Sequence, residues 1–195
     1  VVCDELLDPH FHTVTTDNFA AAQRTVQHLV ELGHTRIGHV RGRPIKNLAN
    51  QRWLGFQAAL HAAGLPLRSE WIFQGDHSIP TGYAAGHEFA RLSERPTGMF
   101  VANDEMAIGF ISAIREHGLD CPRDVSVIGF DDIAVARHFA PPLTTMRQPR
   151  EQIGRIATEA LIDILEGTPF ERDPLRVVLT SELVVRSSTA RNERS

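Results

Sequence analysis

From Gly33 onward, short apolar runs alternate with stretches of helical periodicity, and that alternation limits the chain to very few architectures. Residues 36–41 (Arg-Ile-Gly-His-Val-Arg) read as a strand ending at Gly42. A helix is expected over 51–63, where Trp53, Phe56, Leu60 and Ala63 share a face and Gly64 supplies the stop. Trp71-Ile72-Phe73 reads as the next strand. Ser78 is expected to cap a helix carrying Tyr83, Gly86, Phe89 and Ala90, with Pro96 beyond its end. Met99-Phe100-Val101-Ala102 makes a third strand. Asp104 is expected to cap a helix bearing Ile108, Ile111 and Ile114, closed by Gly118. Val125-Ser126-Val127-Ile128 makes a fourth strand. Strands joined by helices of about 10–15 residues give an α/β fold with a doubly wound parallel sheet.

Two flanking segments fit this unit less obviously. Residues 1–16 hold two strand-like pieces around Asp8-Pro9. Pro149 suits the first turn of a helix running to Gly167. On it Ile153, Ile156, Ala157, Ala160, Leu161 and Ile164 form a broad apolar face that needs a sheet to cover. Residues 176–185 return as a final strand or pair of strands, and Ala190 to Ser195 read as a loose polar tail.

Composition excludes several classes. At 42% hydrophobic and 23% charged, the chain is too apolar to remain disordered. Its formal net charge of −4 is the wrong sign for a chain that grips DNA phosphates by itself. No apolar run approaches the roughly 18 residues of a membrane span. Val1-Val2-Cys3-Asp4 lacks the start of a secretory signal. Cys3 and Cys121 match no zinc or redox spacing, so both are expected to be buried thiols in a reducing cytoplasm.

In open parallel sheets, ligands bind beyond the carboxyl ends of the strands. Here the first strand is followed by Gly42, Arg43, Lys46 and Arg52, and the second by Gly75, Asp76 and His77. Asn103-Asp104 follows the third, and Asp131-Asp132 the fourth. Arg52 offers a rigid fork of donors, Asn103 both donor and acceptor, and Asp131 a strong acceptor. His77 could stack on a ring or hydrogen-bond to it. Together these groups suit a ligand rich in hydroxyls or ring nitrogens. Asp104 is read as a helix cap, and Asp132 as a cap or turn residue because adjacent carboxylates usually point apart.

No nucleophile elbow, phosphate loop or Cys/His pair is present, so the chain is read as a binder and not an enzyme. His10 and His12 beside Asp4 and Asp8 are read as solvated loop residues, and no metal or cofactor is expected.

Several stretches resemble one family closely. They are Asp17-Asn18, Leu32-Gly33-His34-Thr35-Arg36-Ile37, Arg52-x-x-Gly55-Phe56 and Gly75-Asp76. Asn103-Asp104-x-Met106-Ala107-x-Gly109 and Pro122-x-Asp124-Val125-Ser126-Val127-Ile128-Gly129-Phe130-Asp131-Asp132 follow. Pro141-Pro142-Leu143-Thr144-Thr145 and Arg186-Ser187-Ser188-Thr189 complete the series. In this order they resemble the effector domain of the lac repressor (LacI/GalR) family.

The resemblance implies a type I periplasmic-binding-protein-like fold of two α/β lobes, with a small sugar or nucleoside-like effector between them. It further implies a homodimer, and operator DNA contacted only through an amino-terminal helix-turn-helix that this sequence lacks. Residues 17–146 and 173–190 then form the carboxyl-terminal lobe, 1–16 and 147–172 part of the other lobe, and 191–195 a tail. By position, Arg52, Asn103 and Asp131 match effector contacts, and His77 falls where relatives often stack an aromatic. Asp4 and Gln148 match contacts from the other lobe and the crossover. Lys46 stands where purine-sensing relatives have arginine, and Arg150 where some sugar-sensing members are apolar. Ile108 and Phe139 match the dimer face, with Phe110 expected beside them. A periplasmic sugar-binding protein of a transporter is the alternative reading of the same fold.

Overall fold

The computed structural model describes residues 2–3, 11–44, 47–167 and 174–193. Six strands form one sheet: β3 (Ile37–Arg41), β4 (Ile72–Gln74), β5 (Gly98–Val101), β6 (Ser126–Asp131), β7 (Thr144–Arg147) and β9 (Glu182–Val184). Their spatial order is β4-β3-β5-β6-β7-β9, parallel throughout except for β9, which runs antiparallel to β7. The second strand of the series lies on one side of the first and the third on the other. The chain therefore reverses its winding between β3 and β5, the switch point where such sheets open a crevice.

Helices cover both faces. Helices α1 (Asn18–Glu31) and α2 (Asn47–Ala62) pack together on one side. On the other lie α3 (Ile79–Ala90) and α4 (Asp104–Glu116). The strands serve both cores by alternation: Met99 and Val101 join Phe89, Phe110 and Ile114, whereas Phe100 joins Val26, Phe56 and Ile128. His39 is wholly buried among Phe100 and Phe56, and burial lowers its pKa to about 3, which keeps it neutral.

A second, three-stranded parallel sheet comprises β1 (Val2–Cys3), β2 (Thr13–Thr16) and β8 (Arg176–Leu179), in the order β1-β2-β8. Helix α5 (Arg150–Glu166) packs on β1 and β2 and ends at Gly167, whose φ of +72° suits glycine. Only Ile153 and Ala160 of α5 are buried, while Leu161, Ile162, Ile164 and Leu165 stay exposed. The chain passes between the two sheets after β2, after β7 and between β8 and β9.

Several local expectations change. Residues 176–185 split between sheets: β8 pairs with β2, and only β9 returns to the large sheet. The assignment of 173–190 wholly to the larger lobe therefore fails at β8, because a run of alternating exposure can pair in either sheet. Ala190 to Asn192 are docked rather than loose. The Asn192 N–H donates to Leu32 O at 2.8 Å, and Ala190 N–H to Ser126 Oγ at 3.0 Å. Ser78 precedes α3 without capping it, its hydroxyl donating to Asp76 Oδ1 instead. Cys121 is buried, as expected, and the side chain of Cys3 lies outside what the structure describes. No helix of the described residues is long and apolar enough to cross a membrane.

Candidate functional site

The ends of β3 through β7 and the first turns of α2 enclose a hollow of about 430 Å3. That volume falls within the range of small-molecule sites.

Arg52 forms its floor. The guanidinium is 2% exposed, and its Nε–H donates to Asn18 Oδ1 at 2.9 Å. A terminal N–H donates to Ala102 O, and the group stacks on Phe130, its central carbon 3.5 Å from the ring centroid. A buried cation needs partners of this kind, and its second terminal nitrogen faces Asp131 Oδ1 at 3.9 Å. Asp131 also accepts from Gln148 Nε2 at 2.5 Å, while Gln148 Oε1 accepts from the Thr16 hydroxyl at 3.3 Å. Asn18 Nδ2 donates to Thr16 O. One polar chain thus runs from the hollow into two of the crossovers.

Asn103 and His77 interlock on the opposite wall. Asn103 Oδ1 accepts from Met106 N–H, so Asn103 and not Asp104 caps α4. Its Nδ2 donates to His77 O at 2.8 Å and holds a residue whose φ is +75°. Gly42 makes room for the His77 ring, since a Cβ there would lie 2.1 Å from Nε2. The Asn103 amide therefore braces the wall, leaving one N–H and one lone pair for a ligand.

Asp131 and Asp132 point apart, as their adjacency suggests. Their φ values are +117° and +52°, a bend unfavourable for side chains with a Cβ and usually retained for function. Asp132 is held by Arg147 Nε at 2.7 Å and Arg186 at 2.6 Å. Burial raises its pKa, but these two arginines outweigh that effect and hold it below the ordinary aspartate range.

Asp104 is not a cap. It is fully buried and accepts from the Thr145 hydroxyl at 2.6 Å and from Ile133 N–H at 2.9 Å. Burial, reinforced by Asp131 and Asp132, pushes its pKa up to about 7. A cap would have to sit one residue before the helix, where Asn103 already stands.

Two further strand-end groups, Arg43 and Asp76, also line the wall. Asp76 accepts from the Ser78 hydroxyl, the Thr81 hydroxyl and Ser78 N–H, which hold its carboxyl well below the usual range. Arg43 reaches it at 3.4 Å across the mouth of the hollow. Their signal was the position directly after β3 and β4.

Asp4 and Lys46 lie outside the described residues. Arg150, the first residue of α5, is exposed. Ile108 of α4 and Phe139, in the segment after β6, are half-buried, and Phe139 packs against the core. Phe110 is fully buried against Phe89, ring centroids 5.1 Å apart, so its assignment to a dimer face is corrected: helix α3 already covers it. A hollow of about 470 Å3 at the opposite end of the sheet has His34 in its wall, and both ring nitrogens of His34 are satisfied by Thr97 and Ala190.

A family of periplasmic binding protein-like domains matches residues 26–189, which includes every strand of the large sheet. The chain belongs to that periplasmic binding protein-like family. The HTH-type transcriptional repressor PurR of Actinobacillus pleuropneumoniae serotype 3 is 36% identical over 181 residues, covering 93% of this chain and 54% of the repressor. The chain thus spans about half the length of the curated relatives it matches. Among solved structures, the transcriptional regulator CelR in complex with cellobiose is 32% identical with a TM-score of 0.89, covering 95% of this chain and 57% of that chain. A dimeric lac repressor is 28% identical with a TM-score of 0.89, covering 97% and 68%. Over nearly its whole length the chain is thus similar to the repressor PurR, the regulator CelR and the lac repressor.

Proposed function

We propose that this chain is the ligand-sensing core of a transcriptional regulator and binds a small sugar or nucleoside-like effector in the hollow above the large sheet. The observation that carries the reading is the buried Arg52, held by Asn18 and Phe130 so that one terminal nitrogen faces Asp131 at the floor. The wall supplies Arg43 and Asp76 as well as Arg52 and Asp131, so the formal charges cancel. A neutral ligand with several hydroxyl or ring-nitrogen groups suits such alternating donors and acceptors.

The polar chain through Asn18, Thr16 and Gln148 supports a role in changing the angle between lobes, because it joins the site to the crossovers. An effector shifts that equilibrium only by its difference in affinity for the two arrangements. Operator DNA would then be contacted by a helix-turn-helix outside this chain, and lobe movement would alter the spacing of two such headpieces.

A homodimer through the outer faces of α3 and α4 completes the reading, with Ile108 and Phe139 at its centre. Ile79 and Val135 are about half exposed and add apolar area to that side of the chain. We read the molecule as a binder and not an enzyme, and as a regulator in preference to a transporter's periplasmic sugar-binding protein, since the relatives above are repressors.

The reading is tested by screening mono- and disaccharides, nucleosides and purine bases for thermal stabilisation. A compound that raises Tm in the wild type but not in Gln148→Ala supports it. Equal shifts in both remove Gln148 from the site.

A further inference from the structure

Asp104 is the first residue of α4, yet its side chain serves neither the helix nor the hollow. Its two oxygens are divided between Thr145 of β7 and the backbone N–H of Ile133, just after the bend at Asp131-Asp132. Gly129 of β6 accommodates it: a Cβ there would lie 2.2 Å from Asp104 Oδ1. The carboxyl group is fully buried and so needs these bonds.

We propose that Asp104 is a positioning residue for the hollow, holding the 131–133 bend through Ile133 and thereby setting Asp131 against Arg52 and Gln148. This rests on the hollow being the effector site. Without an acceptor at Ile133, two consecutive residues at positive φ lose the bond that closes the bend.

The groups around Asp104 make the arrangement responsive to protonation. From the end of β6 it meets Asp131 and Asp132, and from β7 it meets Thr145. The nearby arginines are committed elsewhere, Arg147 and Arg186 to Asp132 and Arg52 towards Asp131. Of three neighbouring carboxylates, Asp104 is therefore the one with no basic side chain among its described partners, which agrees with its raised pKa of about 7. Both protonation states can bond to Thr145 and Ile133, because a hydroxyl can donate or accept. Ionisation changes the field acting on Asp131 and Asp132 without undoing the bend.

The test uses the 15N-labelled protein, with no ligand required. The amide resonances of Asp132 and Ile133 are expected to shift with pH around a midpoint of about 7. Asp104→Asn, which keeps both bonds, is expected to abolish that titration and leave the Ile133 amide protected from hydrogen exchange. Asp104→Ala is expected to lose that protection; if it fails to fold, the Asn variant carries the test. Resonances that ignore pH, a titration that persists in Asp104→Asn, or protection that survives in Asp104→Ala would each overturn the proposal. A protein that passes but binds no sugar or nucleoside loses only the effector reading. One that binds such a compound while its bend ignores Asp104 loses only this inference.

Discussion

The Nε–H of Arg52 donates to Asn18 Oδ1 at 2.9 Å, which ties the floor of the hollow to the first residue of the helix that leaves a crossover. The same asparagine donates to Thr16 O, the last residue of β2 in the smaller sheet. This pair connects the hollow to the smaller sheet. Arg52→Lys keeps a charge but lacks the planar fork needed for Asn18, Ala102 and Phe130 together. The variant is expected to weaken effector affinity by about 1.5–3 kcal/mol for each charged hydrogen bond lost. Calorimetry with a compound identified by thermal shift measures this, and circular dichroism checks that the variant is folded.

Asn103→Ala removes the α4 cap and the brace on His77 at once. A loss of about 1 kcal/mol is expected from the cap alone. Asn103→Asp retains an acceptor for Met106 N–H but not the donor to His77 O. It is therefore expected to restore most of the stability in urea unfolding while leaving the His77 bend loosened.

Much of this fold is legible in the sequence because two periods compete along it. The alternation of Met99, Phe100 and Val101 fixes a strand that feeds two cores, and the helical spacing of Trp53, Phe56 and Leu60 fixes α2. Arg52 was legible as well, since an arginine at an apolar helix start has to be paired. Asp104 was not, because a carboxylate at a helix start looks the same whether it caps or turns inward. What decides it is Gly129 on another strand, which leaves the space. Phe110 failed for a similar reason: an apolar residue on α4 can face a partner or α3, and α3 covers it. The pairing of β8 with β2 is a matter of register between distant segments and leaves no local mark.

Asp104 and Asp132 should give stability opposite dependences on pH. For Asp104 the folded pKa, about 7, lies above the unfolded aspartate value of about 3.9. The native state then binds the proton more tightly, so stability falls as pH rises between those values and is flat above them. Asp104→Asn removes this slope, and relative to wild type it is expected to gain on the order of 2 kcal/mol between about pH 5 and pH 8. Denaturation at both pH values checks the sign.

For Asp132, whose folded pKa is lowered, the stabilisation is present above the unfolded value and is lost as pH falls through the folded one. Asp132→Asn leaves Arg147 and Arg186 without their shared carboxylate. A loss of about 1–3 kcal/mol at neutral pH is expected, shrinking as the pH drops below about 4. A loss that stays constant down to pH 2.5 or so would count against the ion pairs as its cause.

Ile108→Glu and Phe110→Ala separate assembly from folding. Phe110→Ala empties part of the core and is expected to cost about 3–5 kcal/mol in unfolding. Ile108→Glu is expected to leave unfolding within about 0.5 kcal/mol of wild type while weakening self-association. Sedimentation at several concentrations distinguishes them. A Phe110→Ala variant that folds normally but no longer associates would restore Phe110 to the interface.

The hollow between Arg52 and Asp131 is the proposed place where a small effector binds. Isothermal titration of the wild type and Asp131→Ala with the best compound from the sugar and nucleoside screen tests this most directly. Saturable binding at one site per chain is expected, weakened at least about tenfold in the variant, equivalent to about 1.4 kcal/mol. Affinity unchanged by Asp131→Ala, or no binding by any compound of either class, would contradict it.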